Sequence, residues 1–348
     1  MTRARDVADT QENLGGGVPP FAAGKNKVLN GDFGIWQRGT SIAVSSSASP
    51  FVADRWRMAT NANQNSTVSR QLVNDTTNLP EIQYCLRYQR DSGQTGVNPV
   101  YLMQYNETIS CVPFAGKTVT LSFYARKGAN FSSASSVLSM GFQTGTGTDQ
   151  NLWNTGYTNQ TTSGSLNATL TSTMQRFSAT FTIPTNTTEF GYWFYYTPTG
   201  TAGAADYFEI TGVQLEAGSV ATPFTTATGT TQGELAACQR YYWKNSNSSV
   251  LYITFCPAVA NTTTQASGIL QFPVSMRTNP TTFEYSNISF ENYAATQYTL
   301  SSVIFSSATV TNISARIQGT ISGATAGHAG YINGQNSTAA YIAVSAEL

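Results

Sequence analysis

KTVTLSFYAR, residues 117–126, alternates with a period of two. Val119, Leu121 and Phe123 fall on one face, and Thr118, Thr120, Ser122 and Tyr124 on the other. Successive side chains of a strand point to opposite sides, so this pattern predicts a strand with one face on a core and one toward water. RFSATFTIP (176–184) repeats it, with Phe177, Ala179, Phe181 and Ile183 expected inward. FGYWFYYTP (190–198) is apolar on both faces and reads as a central strand covered on both sides. DYFEITGVQLEAG (206–218) closes the set with a strand ending at Gly218. The segments between, such as residues 143–165, are rich in Gly, Ser, Thr and Asn and carry no helical pattern. Strands joined by turns without helices predict an antiparallel sandwich.

Further along, residues 223–244 read as a hinge with the one good helix start in the chain. Thr231 and Glu234 have capping-box spacing, and Leu235, Cys238 and Tyr242 then share a face. Beyond it, SVLYITFC (249–256), GILQFPV (268–274), residues 298–321 and TAAYIAVSAEL (338–348) alternate or run apolar. In the last of these, Ala340, Ile342, Val344, Ala346 and Leu348 face one way. Residues 1–26 alternate charge with small residues and then become Gly/Pro-rich, which is linker composition. The expected fold is all-β: an extended N-terminal arm (1–26), a jelly-roll β-sandwich (27–228), and a smaller C-terminal β-sandwich domain (229–348) with a short helix at its start.

Composition narrows the function classes. Charged residues are 10% of the chain, against roughly 25% in ordinary domains, and 18 basic residues balance 18 acidic ones. That charge builds no positive field for nucleic acid and no polybasic membrane anchor. No stretch is long and apolar enough for a spanning helix, and the polar N-terminus has no secretory signal, so synthesis in a cytoplasm is expected. Four widely spaced cysteines, without a CxxC pair, fit neither a disulfide framework nor a zinc site; buried free thiols are expected.

NKVLNGDFGIWQRGTS, then ADRW, GKTVTLSFYARKG, MQRFSATFTIP, EITGVQLEAGSVATPF and ELAACQRYYWK follow one another in order. This series resembles the motifs of bacteriophage fibre and appendage proteins, those of cyanophages in particular, and the resemblance spans nearly the whole chain. It implies a virion protein, assembled in the host cytoplasm and exposed on the particle. Residues 2–11, with Arg3, Arg5, Asp6 and Asp9, resemble a virion-attachment arm that docks on another virion protein. A homotrimer is implied, and host-cell attachment through surface polysaccharide. A head-decorating fibre with a structural role only, and a polysaccharide-degrading enzyme, are the alternatives. Residues 30–224 also resemble jelly-roll carbohydrate-binding modules. Such modules often close with an acidic pair on a structural calcium; here Thr211 and Gly212 stand at that place, leaving Asp32 and Glu209 as the calcium candidates. No other metal or cofactor is expected.

Trp36 and Trp56, in IWQR and DRWR, are expected in the core, their indole N–H groups bonded locally. Trp153 and Tyr157 lie in a polar loop of amides, the composition of a glycan contact. Tyr331 and Asn333, in HAGYINGQN, are the matching candidates of the second domain. His328 is the only histidine and lies near Ser322 and Ser337 without a nucleophile-elbow motif. Asp206 and Glu209 fall on opposite faces of one strand, which is no arrangement for glycoside cleavage. A non-catalytic protein is expected.

Overall fold

The computed structural model describes residues 23–79, 81–306 and 309–348. The arm residues Arg3, Arg5, Asp6 and Asp9 lie outside them. The chain divides into two units, the first running to Leu235 and the second spanning Ala236–Glu347.

In the first unit, eleven strands form two antiparallel sheets among the described residues. One holds β1 (Ser41–Val44), β3 (Ser66–Leu72), β4 (Tyr84–Arg90), β11 (Tyr207–Ala217), β6 (Thr118–Lys127) and β9 (Gln175–Thr182), in that order. The other holds β2 (Arg57–Ala59), β5 (Val100–Tyr105), β10 (Glu189–Tyr196), β7 (Val137–Gly145) and β8 (Thr161–Thr169). This is the expected jelly-roll sandwich. The opening stretch forms β6, and its register sets Val119 against Phe181, Leu121 against Ala179 and Phe123 against Phe177. Phe123 then meets Phe194 of the other sheet edge-on, with ring centroids 4.8 Å apart. One continuous core joins the inner faces of both sheets. Outside it, hydroxyls pair across strands: Thr120 with Thr180 at 2.9 Å on β6–β9, and Thr144 with Thr161 at 3.1 Å on β7–β8.

Both early tryptophans are core residues. Trp56 is fully buried between Phe33 and Tyr192, and its indole N–H donates to the Asn30 carbonyl at 3.0 Å. The Trp36 N–H donates to the Phe33 carbonyl at 2.7 Å.

The acids proposed from sequence have structural partners. Asp206, fully buried, accepts from Arg90 at 2.8 Å and from the Ser132 backbone at 3.0 Å. Glu209, also fully buried, accepts from Arg87 on one oxygen and from Arg126 on the other. Glu209 is therefore not a calcium ligand, because a cation there would have to displace two guanidinium groups. Asp32 accepts from the Gly34 backbone at 3.3 Å, and burial raises its pKa. Among the described residues no cluster of three metal-binding side chains occurs. The Thr211–Gly212 step is a β-bulge: pairing with β6 shifts between Thr211 and Gln214, and Gly212 takes a φ of 58°. The shift leaves Val213 free to donate to the Gly31 carbonyl at 2.9 Å, docking the segment before β1.

The helix α2 (Thr231–Gln239) starts one residue earlier than a Thr231 cap requires; α1 is the single turn Thr108–Cys111. Thr230 is the cap, its hydroxyl accepting from the Gly233 backbone at 3.1 Å. Glu234 accepts instead from the Thr228 backbone at 3.2 Å and the Asn30 backbone at 2.5 Å. Tyr242 lies past the helix, in the next strand.

The second unit is a smaller sandwich. Its three-stranded sheet is β12 (Tyr242–Ser246), β21 (Tyr341–Ser345) and β15 (Thr282–Ser286). Its seven-stranded sheet runs β17 (Gln297–Thr299), β16 (Ile288–Asn292), β20 (Ala329–Gly334), β13 (Thr254–Thr262), β14 (Gln265–Gln271), β19 (Ser314–Thr320) and β18 (Ser301–Phe305). Ile342, Val344 and Ala346 enter its core, as the alternation in 338–348 predicts. Residues 249–253 are turns and not strand; Val250, Leu251 and Tyr252 are exposed there. All four cysteines are buried free thiols. Burial pushes the pKa of Cys85, beside Glu209, and of Cys256 up to about 12, so neither is a reactive thiolate.

Two stability outcomes follow. Trp56→Ala removes a fully buried indole from the first core and should cost about 3–5 kcal/mol in denaturant titrations. The second unit, whose core shares no residue with the first, should keep its own transition. Asp206→Asn leaves the fully buried Arg90 guanidinium without its carboxylate and should cost about 3–5 kcal/mol, measured the same way.

Candidate functional site

The outer face of the five-stranded sheet carries a cleft lined by aromatic and amide side chains. On β10, Tyr192, Phe194 and Tyr196 point into the core, so Trp193 and Tyr195 point outward. Both are half-buried, which corrects the expectation that this strand is covered on both sides. The register places Tyr101 of β5 beside Tyr195, and their rings stack at 5.5 Å. Tyr101 also meets Trp193 edge-on at 5.6 Å. On the other neighbour, β7, Gly141 lies opposite Trp193. A Cβ at Gly141 would stand 2.3 Å from the Trp193 indole nitrogen, so the absence of a side chain there lets the ring lie across β7.

The loop between β7 and β8 adds the fourth ring. Asn151 organises it: its side-chain oxygen accepts from the backbones of Trp153 at 3.0 Å and Asn154 at 2.9 Å. Arg57 of β2 clamps the loop to the sheet, donating to the Asn154 side chain at 3.1 Å and to the Ser49 carbonyl at 2.7 Å. Leu152 and Tyr157 are buried with Ala59, Met103 and Tyr105 in a small second core under the loop. Trp153 is left half-buried, its ring 5.6 Å from Tyr101.

The result is a group of four aromatic side chains in which Tyr101 touches Trp153, Trp193 and Tyr195. Trp153, Tyr101 and Trp193 line an open cleft of about 650 Å³, and Tyr195 extends the group beyond it. Asn61, Asn98, Asn154, Thr155 and Gln160 line the same cleft, and among the described residues no charged side chain does. Burial, with the Tyr195 phenol beside it, raises the pKa of Tyr101, so that phenol stays a hydrogen-bonding O–H at neutral pH. Beyond the cleft, on β7 and β8, the face continues in amides and hydroxyls: Gln143 donates to Thr162 at 3.0 Å, and Ser139 to Asn167 at 2.9 Å.

The candidates named from sequence separate. Trp153 is in the cleft. Tyr157 lies outside the cleft lining: its ring is buried under the loop, and its hydroxyl has no hydrogen-bond partner among the described residues. Asn333 is buried too: it donates to Glu291 at 2.7 Å and accepts from Ser289 at 2.8 Å, so it is engaged within the sheet and has little surface to offer a ligand. Tyr331 is exposed and meets the exposed Tyr293 at 5.8 Å. Tyr101, Trp193 and Tyr195 were missed by sequence reasoning; the signal for the last two was the aromatic content of both faces of residues 190–198. His328 is exposed on a turn.

Tyr157 offers a discriminating substitution. Tyr157→Phe removes a buried, unpaired hydroxyl, whose burial alone costs about 1–3 kcal/mol. Thermal stability should be equal to or above that of the parent, and ligand binding at the cleft should be unchanged. Weakened binding by a variant with an intact melt would return Tyr157 to the site.

No protein-family model and no curated protein matches the chain. Solved structures do. A structure described as "CBM4 structure and function" aligns with 55% of this chain and 100% of its own, at 15% identity and a TM-score of 0.33. The xylan-binding domain of a family 22 carbohydrate-binding module aligns with 51% of this chain and 97% of its own, at 13% identity and a TM-score of 0.28. The enzymatically active domain of tailspike protein 4 of bacteriophage CBA120 aligns with 56% of this chain but 21% of its own, at 11% identity and a TM-score of 0.34.

Proposed function

We propose that the aromatic cleft on the first unit binds a surface polysaccharide, and that the chain is a non-catalytic adhesive subunit of a bacteriophage fibre. The observation that carries the binding reading is the group Trp153, Tyr101, Trp193 and Tyr195 on a solvent-facing sheet, beside uncharged amides and hydroxyls. Ring faces complement the C–H faces of sugars, while Asn98, Asn154 and Gln160 offer donors and acceptors for ring hydroxyls. The cleft is lined without charge, which suits a neutral glycan over an acidic one. Its openness suits the interior of a long chain as well as an end. The fibre assignment rests on the ordered motifs from Asn26 onward, which resemble phage appendage proteins, and single-site affinity would be raised by many copies per particle. Asp206 and Glu209 are each neutralised by arginine, which supports a binding role over glycoside hydrolysis.

The test is binding of the purified chain to polysaccharides extracted from candidate host cells, read by affinity electrophoresis and calorimetry. Trp153→Ala and Trp193→Ala should each weaken binding by about 1–3 kcal/mol, the usual range for a lost stacking contact. Raising the salt concentration should change the affinity little, because no charge pair forms. Absence of binding to every host polysaccharide, with normal particle adsorption by both variants, would favour a decorative appendage.

A further inference from the structure

The second unit carries a surface that its own core does not explain. In the seven-stranded sheet, alternation sends Ala258, Gly268, Ile317 and Ile332 inward, and the intervening positions of a sheet with one solvated face should be polar. Several are not. Ile269 and Ile304 are each 59% exposed, and Tyr331, Pro257 and Val259 are exposed beside them. A trough of about 720 Å³ follows this face, lined by Pro257, Val259, Ile269 and Arg316.

The exposed residues form an ordered row. Glu291 pairs with Tyr331, and Tyr331 with Pro257. Ala258 pairs with Gly268, which sets Pro257 beside Ile269, and Ile269 pairs with Arg316. An acid therefore stands at one end and a base at the other, four strand spacings or about 19 Å apart, with apolar side chains between. The row's rings, Tyr331 with the neighbouring Tyr293, are confined to the Glu291 end, and the aliphatic remainder offers a sugar little to stack on. Its single arginine is too little positive charge for an anionic membrane. A surface with acid and base at opposite ends of an apolar row is complementary to itself.

We propose that this face is covered by the same face of a further copy of the chain, with Glu291 of one copy against Arg316 of the other. Because the same face is used on both sides, the contact is isologous and closes as a pair about a two-fold axis. It is independent of the glycan cleft, which lies on the other unit.

Sedimentation equilibrium on the full chain tests it. The parent should self-associate, and Ile269→Lys, at an exposed position with no packing role in the unit, should raise the dissociation constant about 100-fold, the effect of a central interface residue. Glu291→Arg and Arg316→Glu should each weaken association, and the double variant should restore it. Because Glu291 also accepts from Asn333 and Gln297, Ile304→Lys, with a melt matching the parent, provides a second arm free of that contact. A parent that stays monomeric, an Ile269→Lys or Ile304→Lys variant that assembles normally, or a folded double variant no better than either single one would overturn the proposal.

Discussion

A buried indole N–H must find an acceptor, and in the first unit that requirement organises the segment before the sandwich begins. Trp56 fills the centre of the core and donates to the Asn30 carbonyl. Asn30 can present that carbonyl because it takes a φ of 54°, which Asn tolerates better than most residues. Its side chain holds Ile35 and Asp54 by their backbones, and its own backbone N–H is taken by Glu234. One residue thereby ties the first loop, the strand entry at Arg55–Arg57 and the start of α2 to a single point. Asp54 extends the network by accepting from Gln37.

The candidate site inherits its geometry from that arrangement. Arg57, next to Trp56, opens β2 and reaches outward to hold the loop that carries Trp153. Inner and outer faces of the five-stranded sheet are thus coupled through adjacent residues. The inner residue fixes the strand in the core, and the outer one fixes the loop over the cleft. Gly141 completes the surface by what it lacks, since any side chain there would lift Trp193 off the sheet.

Much of this is legible in the sequence where burial is one-sided. Residues 117–126 alternate because one face is wet and one dry, and β6 follows. Residues 161–169 look like loop because β8 is an edge strand, with no apolar row to show the period. Trp153 and Tyr157 cannot be told apart from composition, because both are aromatics among amides. Only the fold-back of the loop onto Met103 and Tyr105 decides which ring is buried. The partners of Glu209 are equally hidden, since Arg87 and Arg126 meet it across strands that are distant in the chain. The capping box fails by one residue because Glu234 is claimed by Asn30, a contact no local pattern encodes.

The hydroxyl pairs that run along β6–β9 and β7–β8 bear on how such a molecule stays dispersed. Exposed sheet edges are usually guarded by charge, often lysine. Here β8 presents Thr, Ser and Asn, and β9 presents Ser and Thr with Arg176 as its one charged residue, in a chain whose formal charge is zero. Such edges rely on the hydration of hydroxyls and amides more than on charge repulsion. Sodium chloride and moderate changes of pH act on charge and would leave them nearly indifferent. Sulfate and osmolytes are excluded from hydrated surface, and they would draw the molecules together.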